Sequence, residues 1–225
     1  LDDCNISDIE EISKLESVEN LSLKNNSLSD ITGLSNLPNI WTLSLEGNTN
    51  ISGTLSSERL FSLNLKKCNL DNSLDISKIP NLLYLNISEN QGITDISKIV
   101  KQSSSEHLTL EISEIDFDEL EKIIQETDKS YLRISQINVN CELVDKNQID
   151  FSKNKTLKRA LMKNIANGSI YMDNGYLNKN GYSITVKDTG RDNIKLKLLN
   201  FSRDFYGEEL QIIYKPDAGK TTSTN

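Results

Sequence analysis

Apolar residues recur through the first 138 residues in a short apolar-polar-apolar motif, spaced by a little over twenty residues. The motifs are Leu21-Ser22-Leu23, Leu43-Ser44-Leu45, Leu63-Asn64-Leu65, Leu85-Asn86-Ile87, Leu108-Thr109-Leu110 and Leu132-Arg133-Ile134, at steps of 22, 20, 22, 23 and 24 residues. Alternation with period two predicts a short strand whose leucines face inward and whose middle residue faces outward. Three residues after the second apolar position stand Asn26, Asn48, Cys68, Asn90 and Ser113; the same offset one unit earlier reaches Cys4. An asparagine there can satisfy backbone groups of the bend that no sheet neighbour reaches, and cysteine or serine fills the slot with weaker bonding. Cys4 and Cys68 therefore read as buried ladder thiols. With Cys141 they are spaced by 64 and 73 residues, which matches no zinc pattern.

A unit of this period cannot bury its apolar face alone, so the expected fold is a stacked solenoid. The pattern is that of leucine-rich repeats: mainly β, with parallel strands on a concave face and 3₁₀ or short α segments on the convex side. The intervening halves carry Ile6-Ser7-Asp8-Ile9, Leu28-Ser29-Asp30-Ile31 and Ile93-Thr94-Asp95-Ile96, where aspartate can cap a short turn by accepting backbone N–H groups. Leu1 falls in the middle of a unit. Asp118–Gln125 reads as an amphipathic helix with Leu120, Ile123 and Ile124 on one face. For the last strand the ladder slot would fall on Ile137, so residues 1–138 are expected to form the solenoid, with about six strands.

After Asn140 period two takes over. Tyr182, Ile184 and Val186 alternate with polar residues, as do Ile194, Leu196 and Leu198, and Leu210, Ile212 and Tyr214, predicting half-buried antiparallel strands. Asp173-Asn174-Gly175, Asn178 to Gly181, and Asp188-Thr189-Gly190 supply turn residues for hairpins. Leu157, Ala160, Leu161 and Ile165 fit a short helix or an irregular connection. Residues 139–215 are expected to form one small antiparallel domain, and the small, polar residues 216–225 a flexible linker or tail.

Units such as Leu21 to Ile40 resemble the 22-residue repeats of internalins, leucine-rich surface proteins of Gram-positive bacteria, over about residues 1–100. The resemblance implies an immunoglobulin-like sandwich after the repeats, export to the cell surface or medium, and a part in adhesion and virulence. It implies a protein or glycan partner on a host or neighbouring cell. Two alternatives stand beside it: an intracellular repeat scaffold, and the targeting module of an enzyme whose catalytic domain lies elsewhere.

Composition narrows the chemistry. The chain of 225 residues has 33 acids against 25 bases; residues 1–138 hold 23 acids and 11 bases, residues 139–225 hold 10 and 14. No cluster of Lys and Arg exists of the kind that neutralises phosphates, so nucleic acid is not an expected partner. The longest apolar runs are a few residues, far short of the roughly 20 that cross a bilayer. One histidine serves the whole chain. No nucleophile elbow, phosphate-binding loop or metalloprotease helix is present, so no enzyme activity, cofactor or metal is expected.

The repeat instead predicts a ruled surface. Its outward columns would be Asn20, Thr42, Ser62, Tyr84, His107 and Tyr131; then Ser22, Ser44, Asn64, Asn86, Thr109 and Arg133; then Lys24, Glu46, Lys66, Ser88, Glu111 and Ser135. This face is nearly neutral although its domain is acidic. The expected contact residues are Asn64, Lys66, Tyr84, Asn86, His107, Thr109, Glu111, Tyr131 and Arg133, with the aromatic residues and Arg133 as anchors. Trp41 precedes its strand and is expected to pack at the edge or convex side.

Overall fold

The computed structural model describes residues 1–105, 107–126, 130–142, 148–152, 170–173, 175–178, 183–187, 193–198 and 205–215. The chain divides into two compact units, residues 1–113 with 122–133, and residues 114–121 with 134–225.

In the first unit each leucine pair forms a three-residue strand: β1 (Asn20–Ser22), β2 (Thr42–Ser44), β3 (Ser62–Asn64) and β4 (Tyr84–Asn86), followed by the longer β5 (Leu108–Asp116). They pair in parallel in the order β1-β2-β3-β4-β5, with Leu21, Leu43, Leu63, Leu85 and Leu110 in one row. These five leucines are buried, as are the second-row residues Leu23, Leu45, Leu65, Ile87 and Ile112. The convex halves contribute Leu28, Leu34, Leu37, Leu60, Ile76, Ile79, Leu82 and Ile99 to the same core. This is a leucine-rich-repeat-like solenoid, with coils short enough that each strand is immediately turned away by its bend.

The bend has a fixed backbone recipe. Asp3, Asn25, Gly47, Lys67 and Glu89, the residues just before each ladder position, all have positive φ between 51° and 79°. The asparagine that follows then reaches back into the preceding coil. Asn26 Oδ1 accepts the N–H groups of Cys4 and Ile6, while its amide donates to Leu1 and Lys24 carbonyls. Asn90 repeats this on Cys68, Leu70, Leu65 and Ile87, and Asn48 on Leu28, Leu23 and Leu45. Cys68 fills the same slot, 1% exposed, donating its thiol to the Leu45 carbonyl at 3.1 Å. Burial pushes that thiol up to about 11. The two cysteine coils share a second left-handed residue, Asn5 and Asn69, just after the thiol.

Aspartates organise the convex turns. Asp30 Oδ1 accepts the Thr32 N–H at 2.8 Å beside a 3₁₀ turn (Thr32–Asn36), and Asp95 caps helix α1 (Ile96–Gln102) through the Lys98 N–H. Ser52 bridges Asp30 of the preceding coil. A cavity of about 260 Å³ opens there, with Ile31, Leu55, Leu63 and Ile76 among its walls and Ser73 and Asp75 at its polar side.

Three expectations for this region are corrected. Cys4 is exposed rather than buried, and its thiol bonds locally to the Asp2 carbonyl. The row from Leu85 continues to Leu110, not Leu108, because α1 replaces a 3₁₀ turn and lengthens the coil. Ser113 consequently leaves the ladder: it is half-buried inside the unbroken β5 and accepts the Glu89 N–H at 2.6 Å. The ladder slot of this strand falls on Ile115, which is buried and apolar.

Helix α2 (Phe117–Glu126) forms where the amphipathic pattern placed it, with Leu120 and Ile123 buried. Strand β6 (Ser130–Glu142) follows and runs unbroken through residue 138. In the second unit, β7 (Gln148–Asp150), β9 (Gly175–Leu177) and β10 (Ser183–Val186) form an antiparallel sheet ordered β7-β10-β9. Strands β8 (Ile170–Met172), β11 (Asn193–Leu198) and β12 (Phe205–Lys215) pair antiparallel in the order β8-β11-β12. The turn after Asn178 makes the expected hairpin between β9 and β10, closed by the Asn178 N–H on the Ser183 carbonyl at 2.8 Å. Strands β8 and β9 lie in different sheets, as do β10 and β11, so the hairpins expected from the turn residues between them are not among the described pairings. Strand β10 is also buried at all four residues, where one wet face was expected. The segments 157–165 and 216–225 lie outside the described residues.

Candidate functional site

The outward residues of β1 to β5 are brought into columns by the parallel register. The first is Asn20, Thr42, Ser62, Tyr84 and Thr109; the second is Ser22, Ser44, Asn64, Asn86 and Glu111. Backbone bonds beyond the strands extend a third through Lys24, Glu46, Lys66, Ser88 and Ser113: Asn25 N–H meets Glu46, Gly47 meets Lys66, Lys67 meets Ser88, and Glu89 meets the Ser113 hydroxyl. The one-row shift at β5 therefore moves Thr109 and Glu111 into the first and second columns. It also removes His107, which precedes the strand and is exposed.

The shift creates a contact that the sequence columns do not predict. With Glu111 beside Asn86, the Tyr84 hydroxyl donates to the Glu111 carboxylate across the strand pair. Neighbouring coils are linked by charge in the same way. Lys24 Nζ pairs with Glu46 at 3.0 Å, and Asn64 Nδ2 donates to the same carboxylate oxygen at 3.2 Å. The Lys24 ammonium beside Glu46 holds its carboxyl below the usual carboxylate range. Lys66 pairs with Glu89 at 2.9 Å, which raises its pKa. Glu89 is a bend residue, invisible to strand-column reasoning, yet it supplies this partner. Asn86 turns its amide oxygen onto the Ser88 N–H and hydroxyl, at 2.9 and 2.6 Å.

The face is thus a pre-ordered polar lattice with its charges paired across coils, and one atom left over. Ser44 Oγ, at the middle of the second column, is buried without a hydrogen-bond partner among the described residues. Such a surface can exchange hydrogen bonds with hydroxyl or amide groups of a ligand without first ordering its own side chains. The side chains of Tyr131 and Arg133, on β6, lie outside those described, as does that of Cys141. Trp41 is not packed away at an edge. It is 56% exposed and stacked on Phe61, itself 41% exposed, with ring centroids 5.8 Å apart.

No family model and no curated protein matches this chain. Among solved structures it is similar to one described as the functional domain of InlJ from Listeria monocytogenes, which includes a cysteine ladder. The match covers 94% of this chain at 16% identity with a TM-score of 0.37, and the chain spans 50% of that structure.

Proposed function

We propose that the solenoid is a non-enzymatic binding module that uses its concave face to recognise a protein or glycan. The observation that carries this reading is the cross-coil lattice. Outward side chains from five strands stand in register, tied by Lys24–Glu46–Asn64, Lys66–Glu89 and Tyr84–Glu111. The contact set is Asn64, Lys66, Tyr84, Asn86, Thr109 and Glu111, with Tyr84 as the aromatic anchor. The sequence columns add Tyr131 and Arg133, whose side chains lie outside those described. Because its charges are largely paired, recognition depends on shape and hydrogen bonding more than on net charge.

The resemblance of residues 1–100 to internalin repeats supports a further step. The module belongs to an exported, adhesin-like bacterial surface protein, with residues 139–215 as an immunoglobulin-like cap and spacer. Its partner sits on a host or neighbouring cell. Binding of the fluorescently labelled chain to immobilised oligosaccharides, and to intact cells before and after protease treatment, tests this. Saturable capture by an oligosaccharide or by a protease-sensitive cell component is expected; no saturable capture on any surface contradicts it.

A further inference from the structure

The exposed stack of Trp41 and Phe61 is not part of the three concave columns. Each residue stands just before its strand, and the row is completed by Glu19 in the first coil and Leu83 in the fourth. Trp41 N–H donates to the Glu19 carbonyl, Phe61 N–H to that of Trp41, and Leu83 N–H to that of Phe61. Along this row exposure falls from Glu19 and Trp41 through Phe61 to the half-buried Leu83. The rings lie 13° from parallel. One face of the Trp41 indole is therefore covered by Phe61, and the other turns toward the first coil.

That neighbouring coil is strongly acidic. Residues 1–20 carry seven acids and one base, and the base, Lys14, is already paired with Glu10 and Glu11. Glu19 makes no ion pair among the described residues, and it occupies the row position next to Trp41. An open indole face beside an unpaired carboxylate attracts a cation twice, through the ring quadrupole and through the charge. A guanidinium suits both, since its plane stacks on the ring while its edge donates to the carboxylate. Phe61 and Leu83 then offer apolar footing for the next residues of the same chain.

We propose that the Glu19–Trp41–Phe61–Leu83 row is a second binding site, separate from the concave face, for a polypeptide segment in which an arginine is followed by apolar residues. The arginine stacks between Trp41 and Glu19, and the apolar residues lie along Phe61 and Leu83. Charge complementarity selects this occupant over a neutral sugar, and a concentration-dependent signal in the dilution series would mark a second copy of this chain instead.

Trp41 is the single tryptophan, so its emission reads the site alone. The test titrates the whole chain with a capped Gly-Arg-Leu-Leu peptide, the same peptide with citrulline for arginine, and maltotriose, alongside a dilution series without ligand. The arginine peptide is expected to change the emission saturably with a Kd on the order of millimolar or tighter, more weakly at high salt. Glu19→Gln should raise that Kd at least about threefold, and Tyr84→Ala should leave it unchanged. The proposal is overturned by no saturation by about 10 mM, equal binding of the citrulline peptide, an unaltered Kd in Glu19→Gln, or a response to maltotriose or to dilution in place of the peptide. Loss of the response in Tyr84→Ala would assign it to the concave face instead.

Discussion

The side-chain oxygen of Asn90 accepts the backbone N–H of Cys68 at 2.9 Å, joining the ladder residues of two successive coils. The same amide satisfies the Leu70 N–H and the carbonyls of Leu65, Ile87 and Ser88. Asn90 is 7% exposed, so removing its amide strands several buried backbone groups at once. Each such group costs about 1–3 kcal/mol when left unsatisfied. Asn90→Ala should therefore lower the stability read by urea unfolding by about 3 kcal/mol or more. A loss under about 1 kcal/mol would show that water replaces the ladder bonds.

Cys4 and Cys68 hold equivalent slots and differ in chemistry. Cys68 is 1% exposed with its pKa pushed up to about 11, whereas Cys4 lies open at the first coil. At pH 8 only about one Cys68 in a thousand is thiolate even before access is considered. Timed alkylation with peptide mapping should label Cys4 quickly and Cys68 only on the timescale of unfolding. Equal rates at the two thiols would mean that the coil holding Cys68 opens in the native state.

Gly92 bridges Asp71 in the preceding coil, and a Cβ added there would stand 2.6 Å from the Leu70 carbonyl oxygen and 3.2 Å from Asp71 Cα. Both are backbone atoms, so the coils must part to admit it. Gly92→Ala should cost about 1–3 kcal/mol, although the site is on the surface. A neutral effect on thermal unfolding would mean that the coil spacing is more compliant than this contact implies.

Acid should loosen the convex turns. The Thr32 N–H holds the Asp30 carboxyl below its usual range, and the Ser73 and Ser77 hydroxyls and N–H groups do the same for Asp71 and Asp75. A depressed folded pKa contributes stability that is complete above the unfolded value, near 3.8, and is lost as pH falls through the folded values. The urea midpoint should fall as pH drops below about 4, and Asp30→Asn/Asp71→Asn/Asp75→Asn together should flatten that fall. An unchanged acid slope in the triple variant would place the sensitivity in other carboxylates.

The strand register of β1 to β4 is legible in the sequence, because each coil offers a single Leu-x-Leu pair followed by one ladder candidate. That of β5 is not. Leu108, Leu110 and Ile112 alternate without a break, so two registers fit the same pattern. Counting alone chose the step of 23 residues, while the α1 helix sets the longer one and thereby relocates His107, Thr109, Glu111 and Ser113. The ion-pair partner Glu89 was hidden because bend residues carry no column position. Trp41 was misplaced because a side chain just before a strand faces neither core nor concave side by alternation, and its neighbour Phe61 decides its setting. In the second unit, turn residues separate the strands but do not say which strand pairs with which, since hairpin and sheet-changing turns use the same chemistry.

Recognition through the concave face stands or falls on Tyr84→Ala. The measurement is equilibrium binding of wild type and variant to whichever oligosaccharide or cell surface captures the wild-type chain, with melting curves alongside. Tyr84 anchors the face through its ring and its bond to Glu111. At least about a tenfold weaker Kd is expected, with the melting temperature nearly unchanged. Unaltered affinity in a folded variant would contradict that expectation and move recognition off the concave face.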